Sequence, residues 1–574
     1  MQKRRSIVLL VILIVSLFTV SSIPAQAAGS VTLINGRETA FDDISLSWCY
    51  AVYLAKTTGK EVTFRLNRDF TARTKDESVK INGQNYKYKK YDFGVNVREC
   101  DLGVGLTSTN TVNAYRNGAL WVPPGANIVI DLNGYCIDRK VSKQRDDGEG
   151  INVESGGTLT VIDSNPGSRH DGFSGGAVIG GASGDGAGGI HVKGILNFKA
   201  GTIYNCNTNE HGGALYVSGS GVLNMTGGLV LGCRTKNSGD SCNGGAVYIN
   251  GGKCSLSDCR IDGCESEDNG GAVYMNNGTL SCSGVSFVNN SAKDKGGAIY
   301  INGGNSSFRK CLFSNNRAKD DDRGGAIFVN TDSKYCHLFE ECSITDNSGG
   351  EGGGMFIDDG VVDLVNCLFR DNYSDDDGGA VFANSSDGTY ITDCVFENNR
   401  CDNCGGALFI DNKKVVISGA IMTGNVANDH GGAIYVDADY DLNIQGYCRI
   451  QNNYSNKRHT DNIALQTTGS KHAYLYAGSI EEGSCIHIAS SKSGEQPITK
   501  KSNISQYQFS HYFVADGSTA QLKDIEERST KFVSSVFSEK TSWILLTAGT
   551  VTAAGAAVLC VILTKRRRRT KNEH

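Results

Sequence analysis

Two columns of side chains in this 574-residue chain have the types and spacing to do chemistry. The first is acidic. Glu210, Asp268, Asp294, Asp322, Asp376 and Asp429 each stand two positions ahead of a Gly pair, and acidic triplets fill 320–322 and 375–377. Carboxylates stacked about 5 Å apart can hold Ca2+ or work as an acid and a base. The same position also carries Cys242, Gly350 and Asn403, so solvated turn residues are the stronger reading and Ca2+ the weaker. The second column is aromatic: Tyr216, Tyr248, Tyr274, Tyr300, Phe328, Phe356, Phe382, Phe409 and Tyr435. Their neighbours on both sides are aliphatic, and side chains alternate along a strand. The aliphatics make the better interior set, which leaves the rings as an outer stripe. Such a stripe either stabilises a ladder by stacking or offers a platform to a sugar or a partner protein.

Other candidates are thinner. His211 and His430 stand beside Gly pairs, and neither has a triad partner readable in the sequence. Cys401-x-x-Cys404 is a lone CxxC in an expected turn, which is a weak redox or zinc signal. Cys259, Cys311, Cys342, Cys367, Cys394 and Cys448 share one position with Val285 and Ala420, so that position calls for a small apolar residue rather than a thiol. Disulfides between neighbouring cysteines stay open, and no cofactor is called for.

A repeat must position these columns. The phrase Gly-Gly-Ala, aliphatic, aromatic, aliphatic begins at Gly212, Gly244, Gly270, Gly296, Gly324, Gly352 (with Gly in place of Ala), Gly378, Gly405 and Gly431, at steps of 26 to 32 residues. A second phrase precedes most Gly pairs. Phe287-x-x-Asn290, Phe313-x-x-Asn316, Phe369-x-x-Asn372 and Phe396-x-x-Asn399 are strict copies. Ile344, Met422 and Ile450 replace the Phe in relaxed copies ending at Asn347, Asn425 and Asn453, and Cys206, Cys233 and Cys264 replace the Asn in earlier ones. A fixed period of this length signals stacked repeats. Alternation of period two without a helical period makes the repeat β, with three short strands per period. The expected fold is all-β, a right-handed parallel β-helix. Stacked asparagines then hydrogen-bond the backbone of neighbouring rungs.

Composition agrees. Gly is 72 of 574 residues and Pro only 5, with none between 167 and 496, as a long ladder with tight turns requires. A helix from Asp43 to Ala55, ended by Gly59, is expected to cover the first rung. The ladder is expected to degenerate after Asn453 into a cap near Val514.

Both ends read as membrane signals. Residues 1–27 have the basic, apolar and small-residue parts of a secretory leader. Residues 543–563 are 21 positions without a charge, followed at once by basic residues 565–569. The divisions are 1–27 leader, 28–145 N-terminal cap and first rungs, 146–465 repeats, 466–540 terminal rungs and juxtamembrane segment, 541–564 transmembrane helix and 565–574 cytoplasmic tail. The formal charge of −5 includes +3 in the leader and +5 in the tail, so the body carries −13. An acidic body excludes nucleic acid as partner.

The paired GGA and FxxN phrases resemble the repeats of the chlamydial polymorphic outer-membrane proteins, over roughly 175–453. The resemblance implies a surface-exposed β-helix with an adhesin role. That family ends in an outer-membrane barrel, whereas this chain ends in one apolar segment, so a membrane-anchored surface protein of a single-membrane bacterium fits better. The N-terminal part is similar to the pectin-lyase-like superfamily, which hosts lyases and glycosidases. The combination carried by its pectin-degrading members, an Asp-Asp with a downstream Gly-His-Gly and Arg-x-Lys, is missing here. Binding or scaffolding of a glycan or surface protein is therefore expected, with a polysaccharide lyase or hydrolase as the alternative; oligomeric state is left open. The topology is testable: protease added to intact cells should remove the body and leave a small tail fragment, and an epitope after Arg569 accessible on unpermeabilised cells would reverse the orientation.

Overall fold

The computed structural model describes residues 33–526, apart from 39–40, 42, 105–108, 142, 144–146, 185, 237–241, 320–321, 412–413, 457–459, 469–470, 490–495, 501–511 and 517–521. The leader, the 541–564 segment and the basic tail lie outside the described residues. Among those described, no helix is long and apolar enough to cross a membrane. The described residues fall into two compact units: those up to 140 with Gly150–Ile179 and Gly194–Thr202, and 141–149 with Gly180–Lys193 and those from 203 on.

The first unit carries the expected helix, α1 (Ile44–Thr58). Asp43 caps it by accepting the Ser45 amide at 2.7 Å, and Gly59 ends it at φ 63°, donating to the Ala55 carbonyl. Trp48, Val52 and Ala55 are fully buried, as the apolar spacing requires. The Trp48 ring meets Phe64 edge-on at 5.3 Å, which seats α1 on the strand Val62–Arg65. Three parallel strands stack on that one in turn: Asn127–Asp131, Thr158–Ile162 and Ile195–Phe198. Phe64, Ile130, Val161 and Phe198 fall in register and are all buried.

The second unit is a parallel ladder in which each period returns to the same position. The rung beginning at Gly296 runs Ile299–Ile301, Asn305–Arg309, Leu312–Ser314 and Arg317–Ala318. The first three strands are those the sequence predicts. The fourth, two residues long, joins an eleven-stranded sheet running from Ala182–Ser183 to Tyr454–Ser455. Register is kept from rung to rung: Ile299 pairs with Ile327, Phe308 with Phe339, Phe313 with Ile344. The interior is aliphatic and phenylalanine-rich, and Ile299, Ile301, Phe308 and Phe313 have no exposed surface. The cysteine column is interior as well, its members at most 4% exposed.

The asparagines do more than decorate a turn. From Asn316 on, each side-chain oxygen accepts two bonds from the preceding asparagine of the column, from its amide N–H at 2.9–3.2 Å and its Nδ2 at 2.8–3.1 Å. The other Nδ2 proton goes to a backbone carbonyl of the preceding rung, as from Asn372 to Ile344 at 2.9 Å. The column runs Asn290, Asn316, Asn347, Asn372, Asn399, Asn425, Asn453 and then Asn462, none more than 1% exposed. Asn462 donates to the carboxylate of Asp516, whose other neighbour is His487 Nδ1 at 3.2 Å. A carboxylate has only acceptors, so it suits the end of a chain of donors.

Below Asn290 the same column is thiol. Cys264 N donates to Asn290 Oδ1 at 3.0 Å, and Cys206 N to Cys233 Sγ at 3.4 Å. The nineteen cysteines in the described residues form no disulfide with one another. The ladder also continues past the expected cap. Val514 lies in the strand Phe513–Ala515, paired in parallel with Cys485–Ile488. Removing one asparagine strands several buried groups at once, each costing about 1–3 kcal/mol. Asn372→Ala should therefore lose roughly 3 kcal/mol or more in urea melts; a loss below about 1 kcal/mol would mean the column contributes little.

Candidate functional site

The aromatic strand sits on the ladder face opposite the interior aliphatics, but its rings are not an exposed stripe. Tyr248, Tyr274, Tyr300, Phe328, Phe356, Phe382, Phe409 and Tyr435 are each at most 9% exposed and form their own apolar cluster with Cys404 and Ala464; only Tyr216 is half-buried. From Tyr248 to Tyr435 successive rings stack at 4.7–5.3 Å. The expectation of a solvent-facing platform therefore needs correcting, and the reason is a cover the motif does not reveal.

At three rungs that cover is the residue immediately before the Gly pair. The first glycine holds φ near 65–73°, and a Cβ at Gly296 would meet the Ile299 carbonyl oxygen at 2.2 Å, so the chain folds tightly back over its own strand. The preceding side chain then lies over the ring of the next rung. His211 stacks on Tyr248 at 4.1 Å, Lys295 Nζ stands 5.3 Å from the Phe328 ring centre and the Arg323 guanidinium 4.9 Å from that of Phe356. Burial holds the His211 imidazole down at about 4, so it covers Tyr248 uncharged at neutral pH.

Continuing down the column, this lid position reads Glu351, Asp377, Cys404 and His430. Glu351 is paired with Arg323 at 2.6 Å. Burial is the largest influence on both carboxyls and raises both, that of Asp377 to about 7 although its oxygen accepts the Cys404 amide at 2.8 Å. Burial likewise pushes the Cys404 thiol up to about 12, which makes it a poor nucleophile. His430 Nδ1 stands 3.6 Å from Asp461 Oδ2, and the fully buried Asp461 accepts Ser455 Oγ at 2.9 Å. This aspartate replaces the second Gly of the motif and was not singled out by the sequence reading as a site residue; its only signal is that loss of the Gly pair.

A cavity of about 400 Å3 opens beside the lid, lined by Asp322, Arg323, Gly350, Glu351, Asp375 and Asp376. Of the acidic column, Asp322 and Asp376 are thus brought together. Asp268, Asp294 and Asp429 are half-buried turn residues on other rungs. Backbone bonds run along that turn, from Asp294 to Asp268 at 3.0 Å and from Asp429 to Asn403 at 2.8 Å. Among the described residues, no group of three or more His, Cys, Asp or Glu side chains is gathered to hold a metal ion. Cys401 of the CxxC lies buried in the two-residue strand Arg400–Cys401 rather than in an open turn.

Residues 273–453 match the family model described as the right-handed β-helix region. No curated protein and no solved structure matches the chain. The matched segment contains the residues that line the cavity and the positions from Lys295 to His430 that precede the Gly pairs.

Two outcomes follow from this geometry. Phe328→Ala empties a fully buried position and should lower stability by about 3–5 kcal/mol; a change under about 0.5 kcal/mol would mean the ring is a surface residue after all. Asp377 has a folded value near 7 against 3.8 unfolded, so the folded chain holds the extra proton. Its contribution to stability is complete below the unfolded value and is lost as pH rises through about 7. His211 acts in the opposite sense between about 4 and 6.5, so comparison with Asp377→Asn isolates the carboxyl. The variant should melt above the parent at pH 8 and lose that advantage towards pH 5; parallel curves would remove the assignment.

Proposed function

We propose that the protein is a membrane-anchored, cell-surface binding scaffold whose ligand is a glycan held in the polar cleft at Asp322, Arg323, Glu351, Asp375 and Asp376. The observation that carries this reading is the cleft itself. It is a cavity of about 400 Å3 walled by both signs of charge, on a ladder whose backbone and asparagine bonds fix its position. Carboxylates and a guanidinium match the hydroxyl groups of a sugar, which present donors and acceptors together. The rings are not a platform for this site; one of them, Phe356, lies beneath its Arg323. The leader and apolar segment in the sequence support export and anchoring, and the resemblance of the paired repeats to surface-exposed β-helices supports display.

A second reading, a polysaccharide lyase or hydrolase, draws on one specific observation. Asp322, Glu351, Asp375 and Asp376 converge with Arg323, and Glu351 is raised by burial while it faces further carboxylates. A raised acid beside other carboxylates is what glycosidic cleavage needs. One experiment separates the readings. The purified full-length chain is screened on a glycan array and each hit is incubated and analysed for shortened products. Binding without products, weakened about tenfold by Asp376→Asn (a loss of about 1.4 kcal/mol), supports the scaffold. Products that vanish in Glu351→Gln support the enzyme, and absence of any glycan hit removes both.

A further inference from the structure

The lid changes chemistry along the ladder in a way that folding does not require. At two rungs it supplies a cation to the ring beneath it, Lys295 to Phe328 and Arg323 to Phe356. The offset is the same wherever the contact is seen: His211, Lys295 and Arg323 each cover the ring of the next rung. Carried on by the strand register, that offset would set Glu351 against Phe382, Asp377 against Phe409, Cys404 against Tyr435 and His430 against Ala464. Anionic groups thus replace cations above equally buried ring faces, which carry negative potential. Glu351 still draws on Arg323 of the preceding rung at 2.6 Å, whereas Asp377 forms no ion pair among the described residues and accepts only backbone and amide donors.

A second observation lies at the end of the same seam. Asp461 has no exposed surface, and its Oδ1 has no hydrogen-bond partner among the described residues. Its neighbour His430 has a buried Nδ1 in the same condition, at 3.6 Å from the other carboxylate oxygen, too long for a hydrogen bond. The charge of Asp461 is felt at Cys404 together with that of Asp377, so the two carboxylates face one stretch of the seam. Buried polar atoms are rarely left unpaired, and two facing each other call for an explanation, of which a bound group is one.

We propose that the seam formed by Glu351, Asp377, His430 and Asp461 takes the ammonium groups of an amino-sugar glycan. An ammonium offers three donors to scattered acceptors and tolerates a ring face beneath it, whereas a metal ion demands a tight cage that these residues do not form. The position it would fill is the one that the Lys295 ammonium fills over Phe328. This inference rests on the glycan reading and narrows it to sugars with free amines.

The test titrates the purified full-length chain calorimetrically with a glucosamine hexamer, the N-acetylated hexamer and putrescine. The glucosamine hexamer should bind at least tenfold more tightly than its N-acetylated form. Asp377→Asn and Asp461→Asn should each weaken it at least tenfold, while Asp371→Asn, an exposed turn carboxylate, should not. Should Asp461→Asn fail to fold, Asp377→Asn, checked by its melting curve, decides alone. Equal binding of the two hexamers overturns the ammonium inference and leaves the glycan reading intact. Putrescine binding as tightly as the glucosamine hexamer overturns the sugar and leaves a free amine as the ligand. If only uncharged glycans bind, this inference alone falls; if no glycan of any kind binds, the glycan reading falls with it.

Discussion

The asparagine column is the constraint on which the rest of the second unit depends. A parallel β-helix must turn corners inside its own wall, and each corner leaves backbone groups that the sheets cannot pair. Here one side chain per rung satisfies them. Its oxygen receives the corner N–H and amide of the rung before, and its nitrogen reaches one carbonyl back and one amide forward. Because every bond points the same way, a shift in one rung would unpair its neighbours. The register of the aromatic column, the cysteine column and the lid is thereby held over the whole run from Asn290 to Asn462.

Thiols enter this scheme as weaker versions of the same group. Cys233 donates to the Ile203 carbonyl at 3.7 Å, in the manner of Asn316 towards Phe287 at 2.9 Å. In the interior column, Cys342, Cys367 and Cys394 reach back to carbonyls of the preceding rung at 3.3–3.4 Å. A thiol that is both small and able to donate suits a wall where Val285 and Ala420 also fit. That explains a high cysteine content without a disulfide among the described residues.

Two apolar layers lie back to back across the first strand of each rung, the aliphatic interior and the stacked rings. The outer layer exists because the Gly pair folds the chain back tightly enough for the preceding side chain to cover a ring. Where that side chain is cationic, the cover is self-contained. Where it is Glu351 or Asp377, the cover carries charge that burial disfavours, and both carboxyls are raised. The scaffold and the candidate site are in this sense one structure: the seam is made by the repeat and distinguished only by which residue occupies a single position.

Much of this was legible in the sequence because it is local and periodic. Period-two alternation gave strands, the Gly pair gave the turn, Phe-x-x-Asn gave the corner, and the mixing of Cys with Val and Ala marked an inward position. Each of these signals fits within a window of a few residues. What only the tertiary structure decided spans whole rungs. Asn462 joins the ladder nine residues after Asn453, off the period, and Asp516 closes it from 54 residues further on. The lid could not be read either, because the residue that covers a ring lies about thirty positions before it in the chain. Strand alternation states which way a side chain points; burial depends on what the next turn lays over it, and for these rings that is the side chain ahead of the preceding Gly pair.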